Sequence, residues 1–127
     1  EILNQFSHVE DQVSRMRKIA VLGDMLELGE LTEEAHRQVG QEANLTADLI
    51  FTVGERARFI ADEARKNGFD REKIFEFDRT EEAGRILQEK LESGDIVLVK
   101  GSRAMKMEKI VKEIMAEPEK ASKLLVG

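Results

Sequence analysis

The chain has 127 residues, 41% of them hydrophobic and 36% charged, with a formal net charge of −6. That length suits one domain with a real core, and that composition suits a soluble globular protein rather than a disordered one. The acidic balance argues against general nucleic-acid binding, which needs a basic face. No apolar run reaches the length of a bilayer span, and no signal peptide is expected. Without cysteine there is neither a disulfide nor a thiolate metal site, which fits a cytosolic location.

The first element read is a helix over Glu1 to Met16, where Ile2, Phe6, Val9, Val13 and Met16 recur at helical spacing. A chain that opens inside an element is expected to be a piece of something longer. After Arg17 the pattern alternates. Ile19-Ala20-Val21-Leu22 is a short apolar run closed by Gly23; Leu49 to Val53 is a second, closed by Gly54; Ile96 to Val99 is a third, closed by Gly101. Runs of this kind suit parallel strands covered by helices on both faces. Lys73 to Phe77 partly alternates, which predicts a strand nearer an edge.

Helices are predicted between the strands. One runs from Thr32 to about Leu45 with Thr32 as N-cap. The next runs from Glu55 to Lys66 with Ala57, Ile60, Ala61 and Ala64 as its inner stripe and Asn67-Gly68 as its stop. Asp78 and Glu81 have capping-box spacing before a helix that buries Ala83, Ile86, Leu87 and Leu91. The last spans about Met105 to Met115 and buries Met107, Ile110, Val111 and Ile114, with Pro118 beyond it. The tail to Gly127 is left unassigned. The expected fold is α/β, a three-layer sandwich: a Rossmann-like, mostly parallel sheet with helices on both faces and right-handed crossovers.

If the three glycine-ended strands are parallel, Gly23, Gly54 and Gly101 share one edge, the place where ligands bind in such sheets. Three elements meet there. After the first strand, Asp24 stands at the tip and Glu27 a helical turn on. Such carboxylates hold a substrate ammonium or a magnesium-bound water, or else Asp24 caps a short turn and Glu27 is solvated; spacing alone favours the cap. Gly54-Glu55-Arg56 reads as a strand turning tightly into a helix. Lys100-Gly101-Ser102-Arg103 joins a hydroxyl and two cations to a helix start, and the flanking cations favour an anion-binding turn over a merely capped one. His36 is a lone histidine with no second ligand in view and reads as a polar or packing residue; no metal site is assigned. There is no G-x-x-x-x-G-K-[ST] loop, no G-x-G-x-x-G after the first strand and no nucleophile elbow, so no catalytic residue is assigned within the chain. The domain reads as half of an active site.

Lys18 to Gly29 (KIAVLGDMLELG) and Val97 to Glu108 (VLVKGSRAMKME), with Glu34 to Gly40 and Thr52-Val53-Gly54 between them, resemble the C-terminal domain of the Mur ligases over roughly Lys18 to Met115. The resemblance is nearest to the branch that joins D-alanyl-D-alanine to a UDP-N-acetylmuramoyl tripeptide. It implies a whole enzyme of three domains, with ATP and magnesium bound mainly by a central ATPase domain, and residues 1–127 as the third domain. Its partners would be the UDP-linked muramoyl peptide, D-alanyl-D-alanine and that central domain, in the cytoplasm. ATP would phosphorylate the peptide carboxylate, and the dipeptide amine would attack the acyl phosphate. Ser102 and Arg103 would contact substrate carboxylate or phosphate, with Lys100 in the same turn and the Asp24 loop lining the same crevice. The family's Tyr-Asn-Ala-Asn-Pro segment is not in the chain, which predicts a sheet short by one strand and a fragment without ligase activity. Two competing readings stand beside it: a receiver-like domain, which would need an acceptor Asp after a central strand where Gly54 stands, and a non-catalytic α/β interaction module.

Overall fold

The computed structural model describes residues 16–26, 28–101 and 123–126. Five parallel strands, β1 (Lys18–Gly23), β2 (Leu49–Val53), β3 (Ile74–Phe77), β4 (Ile96–Lys100) and β5 (Lys123–Val126), form one sheet in the order β3-β2-β1-β4-β5. Three α-helices stand between them: α1 (Thr32–Thr46), α2 (Arg58–Lys66) and α3 (Thr80–Lys90). The predicted α/β architecture is the observed one.

The apolar runs form strands because both faces are covered, so every residue of β2 is buried. On one face Ala20, Leu22, Ile50 and Leu98 pack against Ala43 of α1 and Ile60, Ala61 and Ala64 of α2. On the other, Ile19, Val21, Phe51, Val97 and Val99 pack against Ala83 and Leu87 of α3 and against Leu91. Phe51 also meets the rings of Phe75 and Phe77, with centroids 5.0 and 5.8 Å away, which holds β3 to the sheet. β3 carries half-buried and exposed positions, as its alternation predicted.

Several boundaries differ from the sequence reading. Thr32 does not cap α1; it is the first helical residue, and its hydroxyl donates back to the Gly29 carbonyl at 2.7 Å. Helix α2 begins at Arg58 rather than Glu55, because Glu55 to Ala57 form the turn out of β2. Asp78 does not cap α3, whose N-cap is Arg79 without a side-chain bond; Asp78 instead pairs with Arg58 at 3.1 Å. The Asn67-Gly68 stop holds: Gly68 takes φ +95°, and the Phe69 amide reaches back to the Ala64 carbonyl at 3.0 Å. β5 is a strand in the stretch left unassigned. The first predicted helix, except Met16, and the last one lie outside the described residues.

The sheet's amino edge is closed by a buried clasp. Arg17 donates to both carboxylate oxygens of Asp95, at 3.2 and 2.7 Å, and to the Lys90 carbonyl at 2.8 Å. Asp95 is buried, and a fork-to-fork pair is the geometry in which such a carboxylate is best compensated.

Helices α1 and α2 touch at Gly40. A Cβ there would lie 2.5 Å from the Ile60 carbonyl oxygen and 2.9 Å from Glu63 Cβ. Gly40→Ala gains about 1 kcal/mol of helix propensity. Overpacking against a backbone carbonyl costs about 1–3 kcal/mol. We expect a net loss of up to about 2 kcal/mol, read as a lower urea midpoint at unchanged m-value.

Candidate functional site

Chain direction selects the site. From β1 the chain winds outward through α1, β2, α2 and β3, then α3 carries it back across the sheet to β4, on the other side of β1. β1 and β4 therefore flank the topological switch point, outside whose carboxyl ends a crevice opens. The register sets Leu22 opposite Lys100, so the Asp24 loop and the Lys100-Gly101 turn are neighbours across it. Of the predicted site residues, Asp24 and Lys100 are thus brought to one edge. Ser102, Arg103 and Glu27 lie outside the described residues.

Asp24 is only 4% exposed, unusual for a carboxylate. Its amide continues the ladder by donating to the Val53 carbonyl at 3.2 Å. Its Oδ1 accepts from the Ala57 amide at 2.7 Å, and its Oδ2 lies 3.5 Å from Arg56 Nη1. Asp24 does cap, but it caps the start of the helix after β2 rather than a turn of its own segment. That cap explains Gly54, which takes φ +110° and whose Cβ, if it had one, would strike the Asp24 carboxylate. Arg56, half exposed, was read as an incidental turn residue; it is the cation that faces the buried carboxylate. A strand-tip Asp together with a Gly-x-Arg after the neighbouring strand is the sequence signal that could have found the pair.

The next residue is held from another side. The Met25 amide donates to His36 Nε2 at 3.0 Å, and His36 Nδ1 faces the Thr32 carbonyl. His36 is fully buried, with both ring nitrogens engaged by backbone, which is a packing residue's situation rather than a ligand's. Lys100 is half-buried at the end of β4, and no ion pair joins it to an acid among the described residues.

A shallow hollow between α1 and α2, lined by Glu33, Glu34, Arg37, Gln41 and Glu63 among others, is chemically satisfied. Arg37 bonds Glu33 at 2.8 Å, Asp62 at 2.7 Å and Glu63 at 3.2 Å, and its guanidinium carbon lies 5.1 Å from the Phe59 ring centroid. The bond from Arg37 holds the Asp62 carboxyl below its ordinary range, and bonds from Gln41, Asn67 and Arg37 do the same for Glu63. This is a clamp between helices, and no group able to hold a metal ion occurs among the described residues.

Residues 2–103 match the model of the Mur ligase glutamate ligase domain. The chain is 37% identical over 103 residues to a UDP-N-acetylmuramoyl-tripeptide–D-alanyl-D-alanine ligase of Bacillus subtilis, covering 80% of this chain and 22% of that relative. It is 35% identical over 98 residues to the ligase of that name from Haemophilus influenzae, covering 74% and 20%. Among solved structures, a crystal structure of MurF from Acinetobacter baumannii superposes with a TM-score of 0.64 at 29% identity, over 80% of this chain and 22% of that one. The chain thus spans about a fifth of the length of the curated relatives it matches.

Two outcomes follow from the geometry. Asp24→Ala strands the Ala57 amide in a buried place, a loss of about 2–3 kcal/mol, whereas Asp24→Asn keeps an acceptor and costs less; urea denaturation orders the two. For the helix clamp, carboxyls held below their ordinary range contribute stability that is present above that range and lost as pH falls through it. The gap in urea midpoint between the native chain and Arg37→Met is therefore widest near neutrality and closes as the pH drops below about 4.5.

Proposed function

The chain belongs to the Mur ligase family, in its glutamate ligase domain, and on that premise we propose that residues 1–127 are the C-terminal domain of an ATP-dependent ligase adding D-alanyl-D-alanine to a UDP-N-acetylmuramoyl tripeptide. The observation that carries the reading is the extent of the match, residues 2–103, which takes in both walls of the crevice, the Asp24 loop and the Lys100 turn up to Ser102 and Arg103. The relatives whose names state that reaction support the substrate assignment. On this reading the enzyme makes a peptidoglycan precursor in the cytoplasm; no helix among the described residues is long and apolar enough to cross a membrane.

The family uses ATP, but this chain does not by itself fit a nucleotide. It has no phosphate-cradling loop, and the anion position at the Ala57 amide, where α2 begins, is filled by the chain's own Asp24 carboxylate. On the proposed reading ATP and magnesium are held mainly by the central domain of the parent enzyme, and no catalytic residue is assigned here.

What the chain supplies is a wall. Lys100 ends β4 beside the switch point, and Ser102 and Arg103 follow it in the sequence; on this reading the segment supplies two cations and a hydroxyl suited to the dipeptide's carboxylate or to phosphate oxygens. Asp24 lines the same crevice, with its carboxylate turned inward to Ala57 and Arg56, so its part in substrate binding is to fix the loop. Closure of such a wall over the reacting centre orients the amine and excludes water, which is how a domain without catalytic groups raises the rate.

The test is kinetic. In the full-length enzyme, Lys100→Ala or Arg103→Ala raises KM for D-alanyl-D-alanine by about tenfold or more, the effect of losing a hydrogen bond to a charged group. Unchanged kinetics remove those residues from the site. The 127-residue chain alone releases no phosphate from ATP in the presence of both substrates; release would overturn the division of labour.

A further inference from the structure

The backbone leaving β1 is anchored from three directions. The Asp24 amide donates to the Val53 carbonyl of β2 at 3.2 Å, and Asp24 Oδ1 accepts from the Ala57 amide before α2 at 2.7 Å. The third anchor comes from α1: His36 Nε2 accepts from the Met25 amide at 3.0 Å. The first two anchors are ordinary for a strand tip and a helix start. The third spends a fully buried imidazole on one backbone amide eleven residues earlier in the chain.

The partners determine the state of the ring. The Thr32 carbonyl oxygen has no proton to give, so Nδ1 carries the hydrogen and donates. The Met25 amide is a donor, so Nε2 is bare and accepts. The imidazole is therefore neutral and held as the Nδ1–H tautomer. The opposite tautomer, or the imidazolium, would set N–H against N–H at Met25.

We propose that His36 is a positioning residue for the crevice, its Nδ1–H tautomer orienting the Asp24–Met25 peptide plane and thereby the loop that forms one wall. The proposal rests on the preceding reading for what the wall contacts. The peptide group whose nitrogen His36 accepts from also carries the Asp24 carbonyl, so one hydrogen bond fixes the direction in which the chain leaves the sheet. Asp24's side chain is committed inward, so the crevice is offered the backbone and the residues that follow, and their course is set at this plane. Filling the space beneath the loop needs only an apolar side chain; giving the Met25 amide a partner needs an acceptor at the Nε2 position.

That difference makes the proposal testable with two near-isosteric changes. In His36→Gln the side-chain oxygen reaches the Nε2 position and still accepts from Met25. In His36→Asn the shorter amide reaches only the Nδ1 position, so it serves Thr32 and abandons Met25. Three readouts are combined. Imidazole nitrogen NMR of the chain, with His8→Gln used to assign the two histidines, is expected to show His36 Nδ1 protonated and Nε2 bare. Hydrogen exchange at the Met25 amide is expected to speed up by about fivefold or more in His36→Asn and to stay near native in His36→Gln, as the loss of one hydrogen bond implies. In the full-length enzyme, kcat/KM for D-alanyl-D-alanine falls in His36→Asn and is largely restored in His36→Gln.

An Nε2–H or doubly protonated ring in the folded chain overturns the proposal without any variant. Equal Met25 exchange in the two variants also overturns it, since a residue that only fills space would be mimicked alike by both. A full-length enzyme that does not use the dipeptide overturns the functional reading instead, while the tautomer and the exchange rates still decide the role of His36 in the loop.

Discussion

The carboxylate of Asp24 holds the working edge of the sheet together. It leaves the tip of β1, passes beneath the turn after β2 and accepts from the Ala57 amide where α2 begins. A buried carboxylate is tolerated only when its oxygens are engaged, and here one takes a backbone N–H while the other faces Arg56. The neighbouring residues obey that seat. Gly54 must lack a Cβ because the carboxylate fills its place, and Ala57 must be small because it is packed without exposure under the helix start. Adjacent βα units are thus locked by a side chain rather than by the ladder alone.

This tie also decides what kind of site the edge is. A helix start near a sheet's carboxyl edge is commonly free to receive a phosphate. Here that position is filled from within, so α2 offers nothing to an external anion. The open position moves to the far side of β1, where β4 ends in Lys100 and Gly101. The switch point and the self-capped helix agree: one flank of β1 is structural, and the proposed ligand face lies on the other.

Much of this was legible in the sequence, for reasons that differ by element. The strands β1, β2 and β4 could be read because burial on both faces leaves an unbroken apolar run ended by glycine, and β3 because an edge strand alternates. Helix α2 could be read from its alanine stripe, which is what close packing onto a sheet requires. The caps were misread because capping depends on which backbone donors remain free in three dimensions. Thr32 sits one residue too late to cap, and Asp78 finds Arg58 instead. The Asp24 seat and the His36 anchor were illegible in detail, since each joins residues far apart in sequence through a backbone amide, and an amide leaves no mark on residue type. Asp24 was singled out for its position at a strand tip; that its oxygens turn inward is a fact of the fold.

The contrast between two cations carries the remaining argument. Arg37 lines the hollow between α1 and α2, yet it is spent: three carboxylates and an aromatic ring surround it, and bringing a ligand there would mean breaking bonds already made. Lys100 is half-buried at the end of β4, with no ion pair to an acid among the described residues. Concavity alone therefore does not select a site here. The hollow between α1 and α2 shows how two helices are clamped, whereas Lys100 stands beside the switch point, and under the proposed function its counter-charge is a substrate carboxylate or a phosphate.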